Sequence, residues 1–137
     1  MAGYSGTPLV QKLGIKPGST LALVSAPVNF RRELVGLPRT VRVRPAADAG
    51  ADLVVWFVRA RGELDTRVAG IAAVGAPGVW IAWPKKASGV KTDLTEDLVR
   101  SAGLAHGLVD YKVCAINDVW SGLKFARRKG TQGRTTP

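Results

Sequence analysis

Cysteine is almost absent from this sequence. Cys114 is the only one in 137 residues, so no internal disulfide can form. Its neighbours Val113 and Ala115 predict a strand, where an inert, buried thiol is the ordinary case. A nucleophilic thiol needs a nearby base, and histidine is equally scarce, with His106 alone. No residue set is nominated as a metal site. Long apolar runs are missing too: none approaches the roughly 18 residues of a membrane span. The first residues, Met1 to Gly6, carry neither a charged n-region nor an apolar h-region, so no signal peptide is expected and the chain reads as cytoplasmic.

Acidic residues are the next shortage. Ten Asp and Glu face 20 Lys and Arg, leaving a net charge of +10. Such a surplus favours anionic partners: nucleic acid, headgroups or phosphorylated metabolites. Part of it belongs to the end of the chain, where Arg127, Arg128, Lys129 and Arg134 cluster. A basic domain with a solvated tail is therefore the plainer reading of the same numbers. The length suits one domain with one compact core. We assign residues 1–127 to the domain and residues 128–137, rich in Gly, Thr and Arg, to a disordered basic tail.

What is present is a regular alternation of apolar runs and helical patterns. Thr7 to Leu13 reads as a short helix ended by Gly14. Leu21 to Ser25 is a continuous apolar run, as in a strand buried on both faces of a parallel sheet. Asn29 is placed to cap a brief helix carrying Phe30, Leu34 and Leu37, and Val41 to Arg44 alternates like an edge strand. Asp52 to Val58 is the strongest strand. A helix with Leu64, Val68, Ile71 and Ala72 on one face follows it, closed by Gly75 and Pro77. Gly78 to Trp83 is a buried strand stopped by Pro84. The next helix is expected to open near Asp93 with Glu96 in a capping-box spacing, and to turn Leu94, Leu98 and Ala102 inward before Gly107. Leu108 to Ile116 and Gly122 to Arg127 complete an antiparallel hairpin through Asn117 to Ser121. These elements predict a single Rossmann-like three-layer α/β domain. Its sheet of about six strands is mostly parallel, in spatial order 2-1-3-4-6-5, with an antiparallel hairpin at the end.

A strand opening with Asp, a helix, a strand closing with Pro, a second helix and a hairpin succeed one another from Asp52 to Arg127. That succession resembles the class I methyltransferases, in reduced form. Six stretches carry a second likeness: Gly3-Tyr-Ser-Gly-Thr-Pro-Leu9, Lys12-Leu-Gly-Ile-Lys-Pro-Gly18, Trp83-Pro-Lys-Lys-Ala-Ser-Gly89, Thr92-Asp-Leu-Thr-Glu-Asp97, Val113-Cys-Ala115 and Trp120-Ser-Gly-Leu123. Across residues 3 to 128 they resemble a family of small actinobacterial proteins designated domain of unknown function 3052, a resemblance that implies no established activity.

The methyltransferase likeness is testable in the residues. A dinucleotide or S-adenosylmethionine site wants a glycine-rich turn after the first strand and an acidic residue at the end of the second. Here the turn is Ser25-Ala-Pro-Val-Asn29, without glycine, and Pro27 removes a backbone donor. The second strand offers Arg42 and Arg44. No cofactor is therefore assigned.

Trp83-Pro-Lys-Lys-Ala-Ser-Gly89 follows a buried strand, at the sheet edge where ligands of open α/β folds bind. Lys85, Lys86, the Ser88 hydroxyl and the N–H groups around Gly89 are the candidate holders of a phosphate or carboxylate. Lys16, Arg42 or Arg44 are candidates to join them from the same edge. The alternative is a solvated loop in which proline ends a strand and glycine makes a turn. Tyr4 to Thr7 reads either as a lid over that edge or as a packed arm. Trp56, Trp80 and Trp83 read as core, whereas Trp120 is the candidate for exposure. With Lys124, Arg127 and Arg128 it makes a candidate nucleic-acid contact. His106 reads as a helix-terminal residue, and Asp93, Glu96 and Asp97 as helix caps.

The leading expectation is a non-enzymatic binding or regulatory module for an anionic ligand or partner. Two others stand beside it: a methyltransferase-like enzyme that binds its cofactor in an altered way, and a nucleic-acid-binding protein that uses the tail and hairpin.

Overall fold

The computed structural model describes residues 7–127. The proposed lid residues Tyr4, Ser5 and Gly6 and the tail from Arg128 onward lie outside that range. The elements are α1 (Leu9–Leu13), β1 (Thr20–Val24), β2 (Arg42–Arg44), β3 (Leu53–Phe57), α2 (Arg61–Ala73), β4 (Gly78–Pro84), α3 (Glu96–Ala105), β5 (Leu108–Ala115) and β6 (Trp120–Arg127). They form one six-stranded sheet in the order β2-β1-β3-β4-β6-β5, as the alternation of runs predicts. The pairs β1–β2, β1–β3 and β3–β4 are parallel; β4–β6 and β5–β6 are antiparallel.

β1, β3 and β4 are apolar at nearly every position because both of their faces are covered. On one face Trp56, Leu64, Val68, Ile71, Val99 and Phe125 pack beneath α2 and α3. On the other, Leu13, Phe30, Val55, Phe57, Trp80 and Trp120 pack beneath α1 and the loop after β1. Trp56, Trp80 and Trp83 are all core, as expected. Trp80 also ties α1 to the sheet, its Nε1 donating to the Leu13 carbonyl at 2.9 Å.

Three local expectations are corrected. The segment after β1 makes one 3₁₀ turn, Phe30–Glu33, and Asn29 gives it no side-chain cap. α3 begins two to three residues later than Asp93, with the Thr95 hydroxyl accepting from the Leu98 N–H at 3.2 Å. The helix consequently turns by one position, and Val99 and Gly103 face the core where Leu98 and Ala102 were expected. Asp93 caps a different helix: its Oδ1 accepts from the Arg61 N–H at the start of α2, at 2.8 Å. Both residues satisfy otherwise orphaned donors, which is why the sequence allows either at the cap of α3.

Gly103 is the close-approach residue of α3, since a β-carbon there would overlap the Phe125 ring of β6. Arg100 fastens the same helix to β5, donating to Asp110 at 3.0 Å, to Asp97 at 3.1 Å and to Glu96 at 2.6 Å. These hydrogen bonds, Asp110 first, raise its already high pKa further. Gly103→Ala is expected to lower stability by about 1–3 kcal/mol in equilibrium denaturation, because the ring is walled in and the overlap can be relieved only by moving α3.

Candidate functional site

In open α/β sheets the ligand crevice lies outside the carboxyl ends of the strands, where the strand order reverses. Here that point lies between β1 and β3, which pair in register from Leu21 and Leu53 to Val24 and Trp56. The chain leaves β1 through Ser25, whose φ of 57° is left-handed, a conformation that glycine adopts without cost. The backbone thus has a bend of the kind a glycine-rich turn makes, but with a side chain on it.

Two arginines of the next crossover close on this bend. Arg59 Nη1 donates to the Ser25 carbonyl at 3.1 Å, and Arg67 Nη1 to the Ser25 hydroxyl at 3.3 Å. Arg59 also lies over the Trp120 ring at 5.1 Å, and Arg67 over Trp56 at 6.0 Å, within reach of cation–π attraction. The Trp56 Nε1 is buried without a hydrogen-bond partner among the described residues. At the start of α2, two backbone donors are taken by carboxylates of the protein itself. Glu63 accepts from the Arg59 N–H at 3.0 Å and Asp93 from that of Arg61.

Beside this bridge lies an open cleft of about 580 Å³, lined by Arg59, Ala60, Lys86 and the segment Gly89 to Asp93. Thr92 fixes one wall, its hydroxyl donating to the Arg59 carbonyl at 2.8 Å. Of the expected ligand residues, Lys86 and Gly89 line the cleft and Lys85 is half-buried at its root, its N–H donating to Val119 O. The Ser88 hydroxyl is engaged within the turn, donating to Lys85 O at 2.6 Å and accepting from the Val90 N–H, and the Gly89 N–H donates to Lys86 O. The cations Lys86 and Lys91 have no ion-pair partner among the described residues. Lys91, Thr92 and Arg59 were not singled out in the sequence, though Lys91 and Thr92 continue the same loop.

Arg42, Arg44 and Lys16 do not join this edge. Arg42 pairs with Thr20, and Leu21 lies level with Leu53 and Gly78, so Arg42 stands level with Pro77. That is eight residues, or roughly 26 Å of strand, below Lys85, and three strands away. Arg44 lies level with Ala22, at mid-sheet, and is paired with Asp48 at 2.9 Å. Lys16 lines a different cavity, at the amino ends of the strands.

The expected hairpin contact is not assembled either. Trp120 is 6% exposed and packs edge-on against Phe57 at 5.0 Å. Lys124 lies four residues along β6, roughly 13 Å away, and Arg128 is outside the described residues. His106 sits at the C-terminus of α3, where its Nδ1 meets the Ala102 carbonyl at 3.0 Å. Cys114 is half-buried in β5, and that burial raises its thiol pKa despite nearby lysines. Among the described residues no His, Cys, Asp and Glu group is placed to hold a metal, and no helix is long and apolar enough to cross a membrane.

No family model matches the chain, and no curated protein matches it in sequence. Solved structures do match in fold. The pyocyanin biosynthetic protein PhzM superposes with a TM-score of 0.61 at 8% identity, over 86% of this chain and 53% of that one. Magnesium protoporphyrin IX methyltransferase (ChlM) from Synechocystis PCC 6803, solved with bound SAM, superposes with a TM-score of 0.55 at 11% identity, over 87% and 74%. The fold is a methyltransferase-like Rossmann fold. The chain spans about half the length of PhzM.

The left-handed bend gives a direct test of the turn after β1. Ser25→Val places a β-branched side chain at positive φ and removes the Arg67 hydrogen bond. It is expected to cost about 1–2 kcal/mol in chemical denaturation, whereas Ser25→Gly keeps most of the stability.

Proposed function

We propose that the protein is a binding or regulatory module, without catalytic chemistry of its own, that takes an anionic group of a ligand or partner at the carboxyl edge of its sheet. The observation that carries this reading is the cleft rim. Arg59, Lys86 and Lys91 gather there, and the carboxylate of Asp93 is turned to the α2 N-terminus. Because the N–H groups of Arg59, Arg61, Lys85, Ser88 and Gly89 are used internally, the reading rests on side-chain cations. Lys85 and Lys86 lead the loop, and Ser88 and Gly89 shape the turn that presents them. Such a surface suits phosphate or carboxylate groups and gives salt-sensitive binding.

The alternative reading is a methyltransferase-like enzyme with altered cofactor binding, which the fold favours. Against it stand the arginines pinned on Ser25 and the lack of an unpaired acid at the end of β2. Nucleic acid remains among the anionic partners to be tried, through the basic surface and the tail. The proposal also keeps the expected cytoplasmic location, and the kinship with the domain of unknown function 3052 proteins that the six sequence stretches support.

Titration of the full chain with inorganic phosphate, a nucleoside monophosphate and a short RNA at low salt tests the reading. Saturable binding of at least one is expected, weakened about 5- to 20-fold in Lys86→Gln/Lys91→Gln. Absence of binding by all three contradicts it, as do backbone-amide NMR shifts of Lys86 to Asp93 that are unchanged in the double variant.

A further inference from the structure

At the opposite end of the sheet a second group of cations gathers, which the carboxyl-edge proposal does not use. A cavity of about 260 Å³ opens between the starts of β1, β3 and β4 and the hairpin, lined by Gly14, Lys16, Ser19, Asp52, Tyr111 and Lys124 among others. At a liquid share of ~30 Å³ per water it holds roughly nine water volumes, room for a phosphate and a small attached group.

Lys124 is the centre of the arrangement. It extends from β6 opposite Trp80, lies over that ring at 5.7 Å, and donates to the Leu13 carbonyl at the end of α1 at 3.3 Å. Two glycines make room for it: a β-carbon on Gly14 would stand 2.7 Å from the Lys124 Nζ, and one on Gly78 would stand 3.3 Å from its Cε. Lys112 of β5 donates to the neighbouring Lys12 carbonyl at 3.1 Å. A β-bulge between Asp110 and Lys112 re-aims the chain at Tyr111, a residue 59% exposed whose ring lies 5.9 Å from the Lys124 Nζ.

The like charges are costly as they stand. Burial, then Lys112 and Lys16, pulls the Lys124 pKa below the ordinary lysine range. The nearby carboxylate of Asp52 already accepts from the Thr20 N–H at 2.8 Å, and Lys16, Lys112 and Lys124 have no ion-pair partner among the described residues. A bound anion would add an attraction to each of these ammonium groups and offset their mutual repulsion.

We infer that this amino-edge cavity is a second anion site, in which Lys124 and Lys16 hold the phosphate group of a small phosphorylated molecule, Lys112 adds positive charge from beside it, and the Tyr111 ring faces the group attached to it. The ammonium ions supply charge and hydrogen bonds, and the exposed ring supplies a flat apolar wall.

The test uses the full chain with inorganic pyrophosphate as the probe, followed by calorimetry and by backbone-amide NMR shifts. Saturable binding is expected, with shifts centred on Gly14 to Ser19 and Tyr111 to Lys124. Lys124→Met keeps the apolar stem and is expected to weaken binding about tenfold; Lys16→Gln, at an exposed position, about threefold or more. Lys86→Gln/Lys91→Gln leaves these shifts in place, which separates this site from the carboxyl edge. Affinity is expected to fall with rising pH sooner than an ordinary lysine would dictate, because Lys124 loses its proton early. The groups facing it are Lys16, Lys112, Asp52, Cys114 and Tyr111. Full binding by both Lys124→Met and Lys16→Gln, shifts confined to Lys86–Asp93, or no binding at all overturns the inference.

Discussion

β4 is buried at all seven positions, so every peptide group in it must be paired within the protein. Its two neighbours meet that need in different ways. β3 runs parallel on one side, and β6 runs antiparallel on the other, from Val79 opposite Phe125 to Pro84 opposite Trp120. This one strand therefore joins the Rossmann-like half of the sheet to the hairpin. Its side chains enter both cores, with Val79, Ile81 and Trp83 beneath the long helices and Trp80 and Ala82 on the other face. Its ends set the positions of both candidate sites. Pro84 delivers the chain into the Lys85 to Asp93 loop, and Pro77 and Gly78 form part of the lysine-lined cavity.

The carboxyl edge keeps the layout of the fold while side chains of the protein bond to one another there. The bend after β1 survives as a left-handed Ser25, and the helix that follows β3 still begins beside it. The protein's own side chains bond to the backbone there. Arg59 and Arg67 hold Ser25, and Glu63 and Asp93 hold the amides at the start of α2. The remaining surface is cationic, and within its loop Ser88, Thr92 and Asp93 are hydrogen-bonded while Lys86 and Lys91 stand exposed. Recognition by such a surface depends on charge more than on shape.

Much of this was legible in the sequence because short apolar runs bounded by Gly and Pro have few alternatives to buried strands. Right-handed crossovers then leave few topologies. The same reasoning puts the Lys85 to Gly89 loop at the carboxyl edge of the sheet, where the structure has it. What it missed depends on contacts distant in sequence. Trp120 looks exposed in a connection between strands, and is buried because Phe57 and Arg59, some 60 residues earlier, cover it. Asp93 looks like a cap for the helix after it, but caps the helix before it, because the loop folds back over the start of α2. Lys16, Lys112 and Lys124 lie far apart in sequence, and Lys112 stands beside Lys124 only through the β5–β6 pairing and the bulge at Tyr111. Arg42 shows a limit of a different kind: alternation marked its strand, but not that it stands at the amino end.

The central claim is that side chains of the protein itself occupy the crevice a methyltransferase would give to its cofactor. Titrating S-adenosylmethionine into the isotope-labelled full chain and following the backbone amides of Ser25, Ala26, Arg59 and Arg67 tests it most directly. Unchanged resonances through millimolar cofactor are the predicted result. Saturable shifts centred on those residues would show that the arginines yield to the cofactor, and would contradict the account.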